Sequence, residues 1–176
     1  MKFDHYSIRS IRPTDLNNYY ALVENNRERL EDFFAGTVSR TGTFNATKIF
    51  LKEMIQRLKE KSYFPFVIED CATNKLVGFL DLKNIDWSIP KSEIGFYIDK
   101  DYSGKGITSK AVKLVCDYTF STYKFKKLYL RTHILNMAAR KVAENNGFEE
   151  EGVIRSDYKT TSGRIVDLVY YGKLSE

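Results

Sequence analysis

The residues best placed to do chemistry in this 176-residue chain lie in one short stretch, Asp101-Tyr102-Ser103-Gly104-Lys105-Gly106-Ile107-Thr108-Ser109. Gly104 and Gly106 lack a Cβ, so they take positive φ without strain and let the backbone come close to a bulky anion. The residues that follow predict a helix, with Ile107, Ala111, Leu114, Val115 and Tyr118 along one apolar stripe. The first N–H groups of such a helix have no internal partner, and its dipole favours negative charge. Ser103 to Ser109 therefore has the make-up of a phosphate cradle. A Gly-Lys-Gly tripeptide by itself is equally an ordinary loop. Lys105 is either a diffuse countercharge or a solvent-exposed loop lysine.

Elements on both sides must hold this turn in place. Residues 6–11 alternate as an opening strand, and Arg12-Pro13-Thr14-Asp15 reads as a helix start. The first helix carries Leu16, Tyr19, Tyr20, Val23, Asn26 and Leu30, and ends at Phe33-Phe34-Ala35-Gly36. A second helix spans residues 46–61, with Ile49, Phe50, Ile55 and Leu58 inward. Residues 64–69 and 76–82 form a hairpin about Thr73-Asn74, and residues 93–99 form the strand that leads into the glycine turn. After the turn's helix come a strand over 127–133, a short helix over 136–146 stopped by Gly147, and a closing hairpin over 148–158 and 164–174. The expectation is one α/β (α+β) domain over residues 1–176, a mixed seven-stranded sheet flanked by about four helices.

Composition narrows the class. The chain is 43% hydrophobic, 14% aromatic and 29% charged, which argues against disorder. No apolar run reaches membrane-spanning length and the first residues do not read as a signal peptide, so the expected address is cytoplasmic. Cys71, Cys116, His5 and His133 share no metal-type spacing, so two reduced thiols and no metal are expected. The formal net charge of +5 suits an anionic ligand, or an anionic surface such as nucleic acid or ribosome, or a solvated basic surface with no partner.

The order of elements, with the glycine turn between the predicted fourth strand and third helix, resembles the GCN5-related N-acetyltransferase (GNAT) superfamily over nearly the whole chain. The family's signature is Gln or Arg, two residues, Gly, one residue, then Gly or Ala. Ser103-Gly104-Lys105-Gly106-Ile107-Thr108 aligns with it, departing at Ser103 and Thr108. Asn136-Met137-Ala138-Ala139, followed by Gly147-Phe148, is similar to the family's Asn-headed helix and its stop. Within the family, Asn26-Arg27-Glu28-Arg29-Leu30, Glu93-Ile94-Gly95-Phe96 and Gly163-Arg164-Ile165-Val166-Asp167 with Tyr171 resemble segments of bacterial ribosomal-protein N-terminal alanine/serine acetyltransferases.

The resemblance implies acetyl transfer from acetyl-CoA to a primary amine, on a mostly antiparallel sheet whose predicted fourth and fifth strands splay apart. It assigns the cofactor's pyrophosphate to Ser103, Gly104, Lys105, Gly106, Ile107, Thr108 and Ser109, and its pantetheine arm to the main chain of Phe96, Tyr97 and Ile98 and to Asn136. As a plain helix cap Asn136 would look the same. An ammonium must lose a proton before it attacks, and Glu93 is the first candidate to take it, directly or through water. Glu93 could instead be a strand-end carboxylate paired with Lys91 or Arg155. His133 is the second candidate base. Many relatives carry a hydroxyl where this chain has Ala139 or Ala143, so the leaving thiolate must look to Tyr171, Tyr158 or water; Tyr171 reads equally as ordinary core. Trp87, Phe33, Phe34 and Tyr158 are candidates to line the acceptor pocket.

The expected acceptor is a peptide N-terminus, with a ribosomal protein as partner. The alternatives are a small amine such as an antibiotic or polyamine, or, in another class, a CoA-binding or ribosome-associated module with little catalysis. Neither direct nucleic-acid binding nor membrane association is expected, and the chain would act as a monomer or homodimer.

Overall fold

The structure is a computed structural model that describes residues 1–175. Two strands are apolar along almost their whole length, β3 (Phe64–Asp70) and β4 (Lys75–Asp86). A strand reads that way when both of its faces are covered. Alternate β3 residues do point into different cores: Phe66 and Ile68 into one, Val67 into the other.

The first core lies against α5 (Ile107–Tyr118) and α6 (Met137–Asn145). It joins Leu80, Leu82, Ile94, Leu128 and Leu130 to Val112 and Val115. The second lies under α1 (Leu16–Glu24) and α4 (Phe44–Lys59), where Tyr19, Leu22, Val23, Leu51 and Met54 meet Val67, Phe79 and Tyr97. Among the described residues the sheet has eight strands in the order β1-β2-β3-β4-β5-β6-β8-β7. The remaining strands are β1 (Lys2–Phe3), β2 (Tyr6–Ser10), β5 (Lys91–Ile98), β6 (Lys127–His133), β7 (Glu149–Lys159) and β8 (Ile165–Leu174).

The count of seven strands is corrected by β1, whose two residues are too short to show alternation and fold back on β2 through Asp4 at φ 46. The count of about four helices becomes six among the described residues, because the first predicted helix is three. It breaks at Asn25 and Asn26 into α1 and α2 (Arg27–Glu31), and Ala35, expected to end it, instead begins α3 (Ala35–Arg40). α4 starts at Phe44, capped by Thr43, whose Oγ1 accepts from Ala46 N at 3.1 Å. Its buried line is Thr47, Leu51 and Met54, at helical spacing. Phe50, Ile55 and Leu58 flank that line half-buried, while Ile49, expected inward, is 53% exposed.

One irregularity positions the site. β5 and β6 are the sheet's parallel pair, and they stay in register only at Lys91↔Lys127, Ser92↔Leu128 and Glu93↔Tyr129. Beyond Glu93 they separate: β5 remains paired with β4 as far as Ile98, and β6 with β8 as far as His133. The facing edges of residues 94–98 and 130–133 thus bound a gap in which their backbone groups have no partner strand. This is the splay expected of the predicted fourth and fifth strands, which here are β5 and β6.

Candidate functional site

At one end of the gap stands the glycine turn. Gly104 and Gly106 have φ 76 and 74, and a Cβ at either would meet nothing within 4 Å, so conformation and not crowding requires glycine. Gly106 caps α5, and Lys110 N is the first amide bonded back into the helix, to Gly106 O at 3.1 Å. The preceding first-turn amides therefore point outward without an intrahelical partner. Buried Ile107 anchors this helix end, and Asn146 Nδ2 donates to Ser109 Oγ at 3.0 Å, tying it to the far end of α6.

The turn opens on a cavity of about 520 Å³. Ser103, Gly104, Gly106, Ile107, Thr108 and Ser109 line one end, and the edge of β5 at Phe96, Tyr97 and Ile98 faces Asn136, Ala138, Ala139 and Val142 of α6 and its cap. Lys105 does not line it. Its Nζ donates to Asp101 O at 2.8 Å and sits 5.1 Å from the Tyr102 ring centroid, as a loop lysine would. The Tyr97 side chain is buried in the second core, so it meets the cavity by its strand. Asn136 caps α6, its Oδ1 accepting from Ala139 N at 3.2 Å, and also lines the cavity.

A smaller cavity of about 100 Å³ adjoins the first, sharing Asp32, Phe33, Phe34, Phe96, Asn136 and Ala139 with it. Glu93, Lys83, Arg131, His133 and Tyr158 also line it. Glu93 is 4% exposed. Its carboxylate accepts from Asn84 Nδ2 at 2.7 Å and faces Arg131 at 3.0 Å and Lys83 at 3.5 Å, not the expected Lys91 or Arg155. Burial works against the Lys83 ammonium, but Asp81 and Glu93 outweigh it and hold its pKa above the usual lysine value. An ammonium has no lone pair, so Lys83 does not compete as an acceptor.

His133 lines the same cavity, with Nδ1 accepting from Leu135 N at 3.2 Å. Tyr158 OH accepts from Ala35 N at 2.8 Å, fixing the closing hairpin to α3. Two expected residues lie elsewhere. Tyr171 is 1% exposed and lines neither cavity; its OH accepts from Arg140 Nε at 2.9 Å. Trp87 stacks on Phe125 at 4.9 Å and donates to Lys61 O, away from the groove. Ala139 lines both cavities and Ala143 is fully buried, so α6 offers no hydroxyl at either place.

The sequence pointed to neither Arg131 nor Lys83, and it placed Asn26 in the first helix and in a family motif without its partner Asp99. Arg131 shares a strand face with Tyr129 and His133, and that polar alternation within an apolar run was its signal. Asn26 is 2% exposed; its Nδ2 donates to Leu22 O at 2.8 Å and Asp99 Oδ2 at 2.9 Å, and its Oδ1 accepts from Lys100 N at 2.8 Å. It thereby ties the break between α1 and α2 to the entrance of the glycine turn.

Comparison with known proteins agrees with this geometry. The chain is 31% identical over 173 residues to the putative ribosomal N-acetyltransferase YdaF of Bacillus subtilis, covering 97% of this chain and 92% of that one. It is 30% identical to the spermidine N(1)-acetyltransferase of Vibrio cholerae over 103 residues, 58% of each chain. Among solved structures it superposes on the ribosomal-protein-S5-alanine acetyltransferase of Vibrio fischeri with TM-score 0.90 at 24% identity, over 100% of this chain and 96% of that one. It superposes on RimL, a ribosomal alpha-N-protein acetyltransferase in complex with coenzyme A, with TM-score 0.87 at 18% identity, over 98% and 95%. The family model described as the acetyltransferase (GNAT) domain matches residues 6–149, and with both motifs inside that span this chain belongs to the GNAT acetyltransferase family.

Proposed function

We propose that the chain binds acetyl-CoA along the groove and transfers its acetyl group to the α-amine of a peptide N-terminus. The observation that carries this reading is the gap opened by β5 and β6 beyond Glu93. A helix N-terminus with outward amides stands at one end and a buried carboxylate at the other. When bound, acetyl-CoA supplies an activated acyl group as a thioester.

The residues present fit it. The first-turn amides of α5 and the Ser103 to Ser109 backbone suit a pyrophosphate. The edge of β5 from Phe96 to Ile98 offers backbone groups to an amide-bearing arm, as a sheet edge does to an added strand. Asn136 stands beside that edge.

The amine enters the smaller cavity and attacks the thioester carbon, so a C–N bond forms and the C–S bond breaks. Glu93 takes the amine's proton through water, since its carboxylate is already engaged by Arg131, Lys83 and Asn84. The departing thiolate, with a solution pKa near 8.5, leaves without an obligatory acid. Of the two tyrosines considered as its donor, Tyr158 lines this cavity and Tyr171 lines neither, which favours Tyr158.

The acceptor class follows from pairing. Both carboxylates on the smaller cavity's wall already have cations: Glu93 has Arg131 and Lys83, and Asp32 has Arg164 at 2.9 Å. That wall, with Phe33, Phe34 and Tyr158, suits one amine with uncharged neighbours better than a polycation. Thiol release measured on peptides with N-terminal Ala or Ser and on spermidine tests it. Peptides should have the higher kcat/KM, and a spermidine value above every peptide's overturns the assignment.

A further inference from the structure

A row of alternating charge crosses the floor of the acceptor cavity, and one member of it bridges the point where β5 and β6 part. Glu93 is the last β5 residue in register with β6, opposite Tyr129. Arg131 stands two residues further along β6, on the face that Tyr129 shares. Its Nη2 reaches back across the opening to Glu93 Oε2 at 3.0 Å. Its Nη1 lies 3.2 Å from Asp157 Oδ2 on β7 and donates to Tyr170 OH on β8 at 3.3 Å. Tyr170 OH in turn donates to Asp157 Oδ2 at 2.7 Å.

On the other side of Glu93 stands Lys83 of β4, at 3.5 Å. Lys83 and Asp81 both crowd the Cα of Gly95. A Cβ there would lie 3.2 Å from Lys83 Nζ and 2.5 Å from Asp81 Oδ1, so a larger residue would push the Asp81 carboxylate and the Lys83 ammonium out of place. The sequence of charges, Asp81, Lys83, Glu93, Arg131, Asp157, alternates without interruption across the sheet.

We infer that Arg131 is a positioning residue for acetyl transfer, one that holds the Glu93 carboxylate at the vertex of the splay and aims it into the acceptor cavity. The inference rests on Glu93 being the group that takes the amine's proton. Lys83 cannot do the same work. It is a single point charge on the β4 side, 3.5 Å from Glu93, and fixes no direction. A planar guanidinium engages two carboxylates from different strands at once and fixes direction as well as charge. A 4%-exposed carboxylate that lost this partner would be left with one ammonium and one amide in contact.

The pH dependence has a definite sign. The groups facing Glu93 are Lys83, Asn84 and, past Lys83, Asp81 from β4; Tyr129 and Arg131 from β6; Asp157 and Tyr170 behind Arg131; and Asp32 and His133 across the cavity. Removing Arg131 deletes the nearest cation and leaves the anions. A nearby cation favours the charged form of any carboxylate and nearby anions disfavour it, so the acid limb of the kcat/KM profile should move upward.

The test compares the wild type, R131Q, R131K, D157N and E93Q by thiol release with one peptide acceptor across pH, and by calorimetric titration of CoA. R131Q should lose about a hundredfold in kcat, the scale of a misplaced catalytic group, with a raised acid limb and unchanged CoA affinity. R131K, which keeps the charge, should return the limb to its wild-type position and recover part of the kcat. D157N should move both quantities in the R131Q direction by less. An unmoved limb and wild-type kcat in R131Q overturn the proposal. So does equal impairment of R131Q and R131K with CoA affinity falling in step, which is a merely structural role. Should R131Q fail to fold, wild-type kcat in R131K overturns it. E93Q separates the two readings: wild-type turnover there removes Glu93 itself, whereas an impaired E93Q beside an unaffected R131Q removes only Arg131.

Discussion

The two halves of the groove are built from opposite materials. The larger cavity takes its turn and strand walls from backbone and small side chains: two glycines at positive φ, the amides that open α5, the edge of β5, and Ala138, Ala139 and Val142, with Glu28, Arg29, Phe33 and Lys141 also on its lining. The smaller is ionised side chains held by one another: Glu93, Lys83 and Arg131, with Asp32 tied to Arg164. A backbone site needs only the right dihedrals, so Ser103 and Thr108 stand where the family pattern has other residues and the turn still forms. An ion-paired site depends on the registers of several strands at once. The first should therefore fail through conformation and affinity, the second through turnover.

The largest expected effect breaks the acceptor half alone. Glu93→Gln removes the proton acceptor and should lower kcat/KM by about 10²- to 10⁴-fold, while CoA affinity by calorimetry stays within about twofold. Turnover at the wild-type rate would mean that the halves are not divided in this way. Next is the converse. Gly106→Val forces a β-branched residue to φ 74, a strain of about 1–3 kcal/mol. It should weaken CoA binding about tenfold or more, with turnover at saturating acetyl-CoA much less changed.

Thiol reactivity shows whether that substitution stays local. Burial pushes the Cys116 thiol in α5 up to about 12, so at pH 8 it is both protonated and hidden, while Cys71 is exposed. One thiol should react in native wild type and in native Gly106→Val, and two after denaturation. Two reactive thiols in the native variant would mean that α5 has come away from the core.

The same contrast explains what the sequence made legible. Glycine at positive φ, a helix start and the Asn136 cap are local features, and each stands where the reading put it. The Glu93 partners are not local: Arg131 reaches the carboxylate only because β5 pairs with β6 in one register, and Asp157 joins because β8 and β7 bring it alongside. Trp87 and Ile49 were aromatic or apolar residues at suitable spacing, and spacing does not say which side of an element faces which core. The break between α1 and α2 is stabilised by Asp99, 73 residues away, so no propensity at Asn25 or Asn26 announced it.

That long-range contact makes a smaller prediction, one that links the halves. Asn26→Ala leaves the Asp99 carboxylate, 7% exposed, and Leu22 O without their amide partner. The cost should be about 1–3 kcal/mol, read as a thermal midpoint lower by several degrees, roughly 2–8 °C. Because Asn26 also receives Lys100 N beside the glycine turn, CoA should bind several-fold more weakly. Unchanged affinity with a lowered midpoint would confine Asn26 to the fold.

The smallest expected effect is at Tyr171, and its comparison with Tyr170 is the sharpest. Adjacent strand residues face opposite sides of a sheet, so a one-residue difference in register exchanges them. β8 places Tyr170 opposite Arg131 and Tyr171 opposite Leu130. Tyr170 therefore joins the charged row while Tyr171 enters the core, its hydroxyl turned toward Arg140 and within 3.4 Å of Glu144 and Glu150. Tyr171→Phe keeps the ring that fills the core and removes one hydroxyl of a residue that lines neither cavity, so kcat/KM should stay within about twofold and stability should fall by about 1 kcal/mol. Tyr170→Phe removes the hydroxyl that links Arg131 to Asp157. It should lower kcat several-fold at little cost in stability, because Tyr170 is only part-buried. The reverse pattern, with turnover lost in Tyr171→Phe and kept in Tyr170→Phe, would place the hydroxyl that serves the reaction on the α6 side of the sheet and not among the ion pairs.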